Sequence, residues 1–304
     1  MTTLTVVTAQ FAVSADIGAN LAAIERLMRQ AWSAAADVVH FPEAALSGYA
    51  GVDFESFEGF DWARLEAATR RVMALAAELE LWVVLGSAHR LSEGRKPHNC
   101  AYVIDGAGVL VDRYDKRFCA GDAAGLTGDL AHYTPGDHLA VFEIKGVRCG
   151  VLICHDYRYP ELYRAYQRRG ARMMFHGFHA GGLSPERFAA MEAQVGRHAL
   201  TGGTTLPAIT MPAGMIAAAS NNNMWISCPN SAAPRSCWPS FIVRPDGVIP
   251  WACAPEAEGW IVQEIDFDAP IYDSTVAWRD RAIDGVLHSG VLVDDPRSRD
   301  RTRP

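Results

Sequence analysis

The stretch that organises the chain reads Val147-Arg148-Cys149-Gly150-Val151-Leu152-Ile153-Cys154-His155-Asp156-Tyr157-Arg158-Tyr159-Pro160-Glu161. Consecutive apolar residues at 151–153 indicate a strand buried on both faces, and Pro160 is typical of the first turn of a helix. Cys154 is therefore predicted in the turn between strand and helix. Amides in such a turn can bind a developing anion, and a nearby helix start lowers a thiol pKa. A small core residue is the alternative for any single cysteine, but the polar neighbours favour a reactive thiol.

The composition is that of a globular protein with a substantial core. The chain has 304 residues, of which 49% are hydrophobic and 21% charged, and its formal net charge is -7. This acidic balance argues against a nucleic-acid partner, and no apolar run approaches the ~20 residues of a membrane span. The seven cysteines include no CxxC pair, and the amino terminus lacks a signal pattern. We therefore expect reduced thiols and a cytoplasmic protein without membrane association.

Strands alternate with helices along most of the sequence. Apolar residues alternate at 4–10 and recur at helical spacing at 20–35, and a second short strand is predicted at 37–41. Without a linker or repeat, this alternation predicts an α/β fold with one domain at 1–290. The tail at 291–304 is expected to be mobile.

Two further segments affect the interpretation of the site. A hairpin is predicted at 99–113 with Asp105-Gly106 as its turn, and a long Gly-rich loop follows at 119–137. Residues 201–215 are rich in Gly, Thr and Pro and favour neither a helix nor a strand.

Three reactive side chains follow the ends of predicted strands. Glu43 follows the second strand, Lys116 the hairpin, and Cys154 the strand quoted first. Sites in α/β folds are built at the carboxyl ends of strands, so we expect these side chains to meet on one rim. Each alone is better interpreted as a surface or core residue, but the joint placement favours an active site.

These segments resemble the nitrilase superfamily of carbon-nitrogen hydrolases. His40 to Tyr49 is similar to the family's strand, Pro-Glu and small-Gly-Tyr segment, and Tyr114-Asp115-Lys116 resembles its Tyr-x-Lys. Gly150 to Glu161 resembles its Gly-x-x-x-Cys-x-Asp-x-Arg-aromatic-Pro-Glu block. Weaker similarity continues through Ser240 to Gly247, so the resemblance spans nearly the whole chain.

The resemblance implies a four-layer α-β-β-α sandwich and a thiol-dependent hydrolase. Cys154 would form a thioester with the substrate, Glu43 would serve as general base, and Lys116 would stabilise the oxyanion. His155 would contribute its backbone amide only, because adjacent residues on an extended segment point in opposite directions. The implied substrate is a small linear amide, cleaved to carboxylic acid and ammonia. Members commonly pair, so a homodimer or higher homo-oligomer is expected.

A second acid is predicted at Asp129, which precedes Tyr133-Thr134-Pro135-Gly136 at the spacing of a second glutamate in many similar proteins. It would orient Lys116 or the substrate, and an exposed loop aspartate is the alternative. Three further residues are candidates for the substrate pocket: Tyr49, Arg158 and His179. His176 and His179 have a spacing that suggests a metal, but no third ligand forms a recognisable motif. With no phosphate loop or dinucleotide fingerprint either, we predict that no metal or organic cofactor is needed.

The sequence leaves the substrate class open. Nitrilases proper more often show Cys-Trp-Glu at 154–156, and N-carbamoyl amino acid hydrolases usually carry two arginines where this chain has only Arg158. The chain also departs from the family at Arg117-Phe118 and in a longer segment at 180–220, both near the expected pocket. An acyltransferase and an inactive interaction protein are the alternatives of other classes. The joint retention of Glu43, Lys116 and Cys154 argues against the inactive protein.

Overall fold

The computed structural model describes residues 1–302, in which twelve strands form two six-stranded sheets. The strands are β1 (Thr3–Gln10), β2 (Val38–His40), β3 (Trp82–His89), β4 (His98–Ile104), β5 (Leu110–Asp115), β6 (Val141–Ile144), β7 (Val147–Ile153), β8 (Met173–Gly177), β9 (Trp225–Cys228), β10 (Phe241–Val243), β11 (Trp251–Ala252) and β12 (Gly259–Asp266). The helices are α1 (Ile17–Ser33), α2 (Trp62–Leu79), α3 (Asp129–His132), α4 (Pro160–Arg168), α5 (Pro185–Val195), α6 (Leu206–Asn222), α7 (Arg279–Ile283) and α8 (Pro296–Arg299). A 3₁₀ helix spans Cys154–Arg158.

Each sheet has parallel strands at its centre and antiparallel strands at its edges. The first sheet has the order β12-β1-β2-β3-β4-β5, with β1, β2 and β3 parallel. The second has the order β11-β10-β9-β8-β7-β6, with β7, β8 and β9 parallel. Glu43 follows β2, and Cys154 follows β7, so the base and the nucleophile predicted from the sequence come from different sheets.

The two sheets pack against each other and are covered by helices on their outer faces. Val6 and Val84 of the first sheet share a core with Val151 and Phe175 of the second, and α4 and α6 contribute to that core from the far side. A second core joins the first sheet to α1 and α2. The α-β-β-α sandwich implied by the resemblance is thus confirmed.

The segment at 201–215, which gave no assignment from sequence, belongs largely to helix α6. Its start has the ordinary signals of a helix, since Thr205 caps the helix by accepting a hydrogen bond from the amide of Ala208 and Pro207 lies in the first turn. Met211 and Met215 then anchor one face in the core. Tertiary burial therefore overrides the unfavourable composition.

The described part of the C-terminal tail, at 291–302, contains the short helix α8 and is almost entirely exposed. Residues 303–304 lie outside the described part, and the mobility of the tail stays a prediction. Within residues 1–302, every helix is too short or too polar to cross a membrane.

Gly86 of β3 lets the segment that carries Glu43 lie directly against the first sheet. A Cβ at this position would be 2.0 Å from the carbonyl oxygen of Pro42 and 2.9 Å from the Cα of Glu43. The Gly86 carbonyl also accepts a hydrogen bond from the amide of Leu46 at 3.0 Å. The backbone at Glu43 is therefore placed by a contact that only glycine permits.

We predict that Gly86→Ala destabilises the fold and displaces Glu43. The added methyl must push backbone atoms apart, and overpacking of this kind lowers the free energy of unfolding by about 1–3 kcal/mol. Urea unfolding measures the loss. Gly259→Ala is the matched control, because its Cβ would meet nothing closer than 3.7 Å. Equal stability of the two variants would contradict the prediction.

Candidate active site

Lys116 lies at the centre of a buried charged cluster. Its Nζ is 2.7 Å from Oε1 of Glu43 and 2.7 Å from Oδ2 of Asp129, and its side chain is inaccessible to solvent. Burial works to lower the pKa of this ammonium group, but the charges of Asp129 and Glu43 outweigh it and raise the pKa well above its ordinary value. Lys116 is therefore a permanent cation that keeps one of its three N–H donors beyond these two ion pairs.

Glu43 has one oxygen that is bound and one that is not. Oε1 accepts hydrogen bonds from Lys116 Nζ and from Nδ2 of Asn99, both at 2.7 Å. Oε2 is buried and meets no hydrogen-bond donor among residues 1–302. A buried carboxylate oxygen without a donor is costly unless the site uses it. Oε2 is therefore the atom available to take a proton.

Asp129, predicted as a second acid, is buried beside Lys116. Its Oδ1 accepts a hydrogen bond from the Tyr49 hydroxyl, and Oδ2 accepts one from the amide of Ala120 at 2.9 Å. Burial works to raise the pKa of Asp129, and the charge and hydrogen bonds of Lys116, Tyr49 and Ala120 outweigh it and lower the pKa. Tyr49 itself stays a phenol, because burial raises its pKa well above the ordinary value. Asp129 is thus an ionised anchor for the lysine.

Cys154 directly follows β7, as predicted, and opens the 3₁₀ helix in a left-handed backbone conformation with φ of 43°. This conformation is unfavourable for a residue other than glycine and persists only where neighbours fix it. Burial, and then the charge of Glu43, raise the pKa of its thiol well above the ordinary value. The expectation of a lowered thiol pKa is therefore wrong. The physical reason is that burial and a nearby carboxylate both disfavour a thiolate.

Asp156 joins the 3₁₀ helix to the chain after Lys116. Its Oδ1 accepts a hydrogen bond from the amide of Phe118 at 2.8 Å, and Oδ2 accepts from the Tyr114 hydroxyl at 2.7 Å and the Ile153 amide at 3.0 Å. Burial raises the pKa of Asp156 to about 6, against the lowering effect of these three bonds. These hydrogen bonds hold the chain on both sides of Lys116 next to Ile153, the residue before Cys154.

The pocket candidates Tyr49 and His179 line one cavity of about 350 Å³, together with Asp129. Nε2 of His179 lies 3.0 Å from Oδ2 of Asp53. Burial works to lower the pKa of His179, and the hydrogen bond and charge of Asp53 outweigh it and raise the pKa. The opposite wall comes from the 180–220 segment, through Leu183, Met191 and Pro207 among others.

Arg158 and the side chain of His155 lie elsewhere. Arg158 is exposed, stacks on the Tyr157 ring at 4.7 Å and donates a hydrogen bond to the Thr210 hydroxyl, so it does not line the cavity. The His155 side chain is partly exposed, with Nδ1 3.2 Å from the carbonyl oxygen of Phe118.

Two functional features escaped the sequence interpretation. Asn99 donates a hydrogen bond to Glu43 directly, and its only signal in the sequence is a lone amide near the start of an apolar strand. His176, noted for its spacing to His179, instead lies 3.1 Å from the carbonyl oxygen of Cys154. Within residues 1–302, no group of three or more His, Cys, Asp or Glu residues is arranged to hold a metal ion.

The model of the carbon-nitrogen hydrolase family matches residues 3–269. The chain therefore belongs to the carbon-nitrogen hydrolases, as the three motifs indicated. The solved structure of an amidase from Nesterenkonia sp. superposes with a TM-score of 0.68 at 19% identity, covering 93% of this chain and 96% of that one. This similarity supports the fold.

Among curated proteins, a protein from Staphylococcus lugdunensis described as a hydrolase in the agr operon is 32% identical over 144 residues, which cover 46% of this chain and 57% of that protein. An N-carbamoylputrescine amidase from Arabidopsis thaliana is 30% identical over 171 residues, which cover 55% of this chain and 56% of the relative. The chain thus spans somewhat more than half the length of the curated relatives it matches.

We predict that Asp129→Asn impairs the site although it keeps the shape of the side chain. The neutral amide no longer balances Lys116, so the ammonium group shifts towards Glu43 and is misplaced for the reaction. A misplacement of about 1 Å costs on the order of 100-fold in turnover. Asp122→Asn is the matched control in the same loop, because Asp122 is exposed and bonds only within the loop. Ammonia release by both variants measures the effect, and equal rates would exclude an anchoring role for Asp129.

Proposed function

We propose that this chain hydrolyses a small linear amide to a carboxylic acid and ammonia through a thioester on Cys154. The observation that carries the proposal is the buried cluster of Glu43, Lys116 and Asp129 beside the half-buried thiol of Cys154. Packing alone does not require an ammonium group with two carboxylates in the interior, because such groups are costly to desolvate. The cluster has the charges that acyl transfer to a thiol needs.

Activation of the thiol is a proton transfer inside the cluster. The resting thiol is protonated, because burial and Glu43 raise its pKa. When the substrate carbonyl approaches, Cys154 Sγ attacks the carbonyl carbon while Oε2 of Glu43 accepts the thiol proton. The proton only moves from the half-buried thiol to the buried carboxylate of Glu43, so the net charge of the cluster does not change. The step therefore avoids the cost of creating a second unbalanced anion in a buried site.

The tetrahedral intermediate needs donors for its oxyanion. The remaining N–H donor of Lys116 and the backbone amide of His155 supply them in this mechanism. Collapse breaks the carbon-nitrogen bond, and the proton held by Glu43 passes to the departing amine, which leaves as ammonia. Water then loses a proton to Glu43, attacks the thioester carbon and releases the acid with the thiol restored.

We propose that the substrate approaches the thiol through the cavity of about 350 Å³ whose wall includes Tyr49, Asp129 and His179. Glu43, Lys116 and Cys154 do not line this cavity, but Asp129 connects its wall to the cluster through the ion pair with Lys116. A glutamate-to-glutamine mutant of the Nesterenkonia amidase shows covalent addition of the acetamide moiety of fluoroacetamide at its active-site cysteine. By analogy, Cys154 is the site at which such a reagent would bind covalently.

Cys154→Ala is expected to abolish ammonia release while circular dichroism remains native-like, because no other group replaces the nucleophile. Cys119→Ala is the matched control. Cys119 lies in the loop after Lys116, and its thiol donates a weak hydrogen bond to the backbone carbonyl oxygen of Lys116 at 3.8 Å, a group that cannot act as a general base. A panel of short amides, nitriles and carbamoyl compounds tests the substrate class in the same assay. Substantial turnover by Cys154→Ala would overturn the proposal.

Glu43→Gln and Lys116→Met should fail at different steps. Glu43→Gln cannot accept a proton, and loss of a general base typically costs about 10²–10⁴-fold. Slow acylation followed by blocked hydrolysis should let an acyl adduct accumulate on Cys154. Lys116→Met removes an oxyanion donor, at a cost of about 10²–10³-fold, and should scarcely acylate.

Intact-protein mass spectrometry after a timed quench distinguishes these outcomes. Lys145→Met is the control for the lysine, because this exposed residue pairs only with Asp37 at the surface. An adduct that forms in Lys116→Met at the wild-type rate would remove the lysine from the oxyanion role.

A further inference from the structure

A hydrogen-bonded chain of buried groups runs from helix α4 to the backbone of Cys154. The Tyr163 hydroxyl lies 2.6 Å from Nδ1 of His176, and Nε2 of His176 lies 3.1 Å from the carbonyl oxygen of Cys154. Both side chains are inaccessible or nearly so, and the His176 ring stacks on Phe178 with centroids 4.4 Å apart. The mechanism proposed above does not use either side chain.

The chemistry of the chain fixes the direction of its hydrogen bonds. A carbonyl oxygen only accepts, so Nε2 of His176 must carry the proton that it shares with Cys154. A neutral imidazole then has an unprotonated Nδ1, which accepts from the Tyr163 hydroxyl. Burial lowers the pKa of His176 to about 3, so the ring is neutral at working pH. Each group in the chain therefore has one defined role.

The carbonyl of Cys154 shares a planar peptide unit with the amide of His155. In a trans peptide the C=O and N–H bonds point in opposite directions, so a donor that holds the carbonyl also sets the direction of the amide. Cys154 has a φ of 43°, a conformation that relaxes unless neighbouring groups fix it. His176 is the side chain that bonds this peptide unit from the carbonyl side.

We propose that His176 is a positioning residue that, with Tyr163 behind it, holds the Cys154–His155 peptide unit so that the His155 amide faces the developing oxyanion. This inference rests on the proposed function and deepens it. It gives His176 of β8 and Tyr163 of α4 a role in orienting an oxyanion donor, although neither side chain is itself a donor to the oxyanion. His176 contacts the carbonyl rather than the thiol and takes no proton in the reaction.

The test compares two reactions of the same thiol. Amide turnover passes through an oxyanion and depends on the His155 amide. Methyl methanethiosulfonate also reacts with Cys154, but there the thiolate displaces methanesulfinate from sulfur to form a mixed disulfide, and no carbonyl oxygen gains charge. Peptide mapping by mass spectrometry reads the modification at Cys154.

His176→Phe keeps a ring that can stack on Phe178 and removes the donor. We expect kcat for the best amide substrate to fall up to about 100-fold with KM little changed, as for a misplaced catalytic group. The rate of modification by methyl methanethiosulfonate should stay at the wild-type value. His176→Gln places an amide donor near the position of Nε2 and should recover part of the lost kcat.

Tyr163→Phe should lower kcat in the same direction, because Nδ1 loses its donor. Tyr166→Phe is the matched control, since Tyr166 is buried on the same helix but bonds the carbonyl oxygen of Val151. An unchanged kcat in His176→Phe, or an equal loss in both reactions of the thiol, would overturn the inference and leave the proposed function standing. Wild-type protein that releases no ammonia from any amide would remove both.

Discussion

The structure of the site depends on one buried ammonium group. Moving Lys116 out of water costs several kcal/mol, and only close carboxylates offset that cost. Glu43 and Asp129 each approach its Nζ to 2.7 Å. The segment after β2, the end of β5 and helix α3 must therefore converge, although they lie far apart in the sequence. Two carboxylates and one ammonium group leave the cluster with one excess negative charge, which adds to the larger effect of burial in raising the pKa of the neighbouring thiol.

The proposed base and the proposed nucleophile come from different sheets, so the proposed activity depends on how accurately the two sheets pack. The end of β8 links them. The carbonyl of Phe178 accepts a hydrogen bond from the amide of Glu43 at 3.2 Å, and His176 bonds the carbonyl of Cys154. Deeper in the interface, the hydroxyls of Thr8 and Ser227 are 2.7 Å apart. The short strand β8 and the residue after it therefore contact both Glu43, which follows a strand of the first sheet, and Cys154, which follows a strand of the second.

The sequence predicted the meeting of Glu43, Lys116 and Cys154, because each follows an apolar strand and strand ends share a rim, while the four-layer fold was implied by the resemblance to the nitrilase superfamily. It could not predict Asn99 or the bond from His176 to Cys154, since these depend on partners that only the folded chain brings together. The pKa of the Cys154 thiol is raised, rather than lowered as predicted, for the same reason: the groups that raise it are brought together only by folding. A local rule about helix starts does not include burial or a carboxylate from another sheet. Helix α6 was missed because composition favours a loop where burial of Met211 and Met215 decides the outcome.

Preorganisation of the lysine explains why so many buried hydrogen bonds surround it. The chain after Lys116 is held at Phe118 by Asp156 and at Ala120 by Asp129. Asp156 also accepts a hydrogen bond from the amide of Ile153, the residue before Cys154, so one carboxylate holds the segment of Lys116 close to the thiol. An oxyanion is stabilised most when its donors need not move during the reaction. In the proposed mechanism, the anchors spread over these segments therefore serve a single requirement, which is that Lys116 already lies in place when charge develops on the substrate.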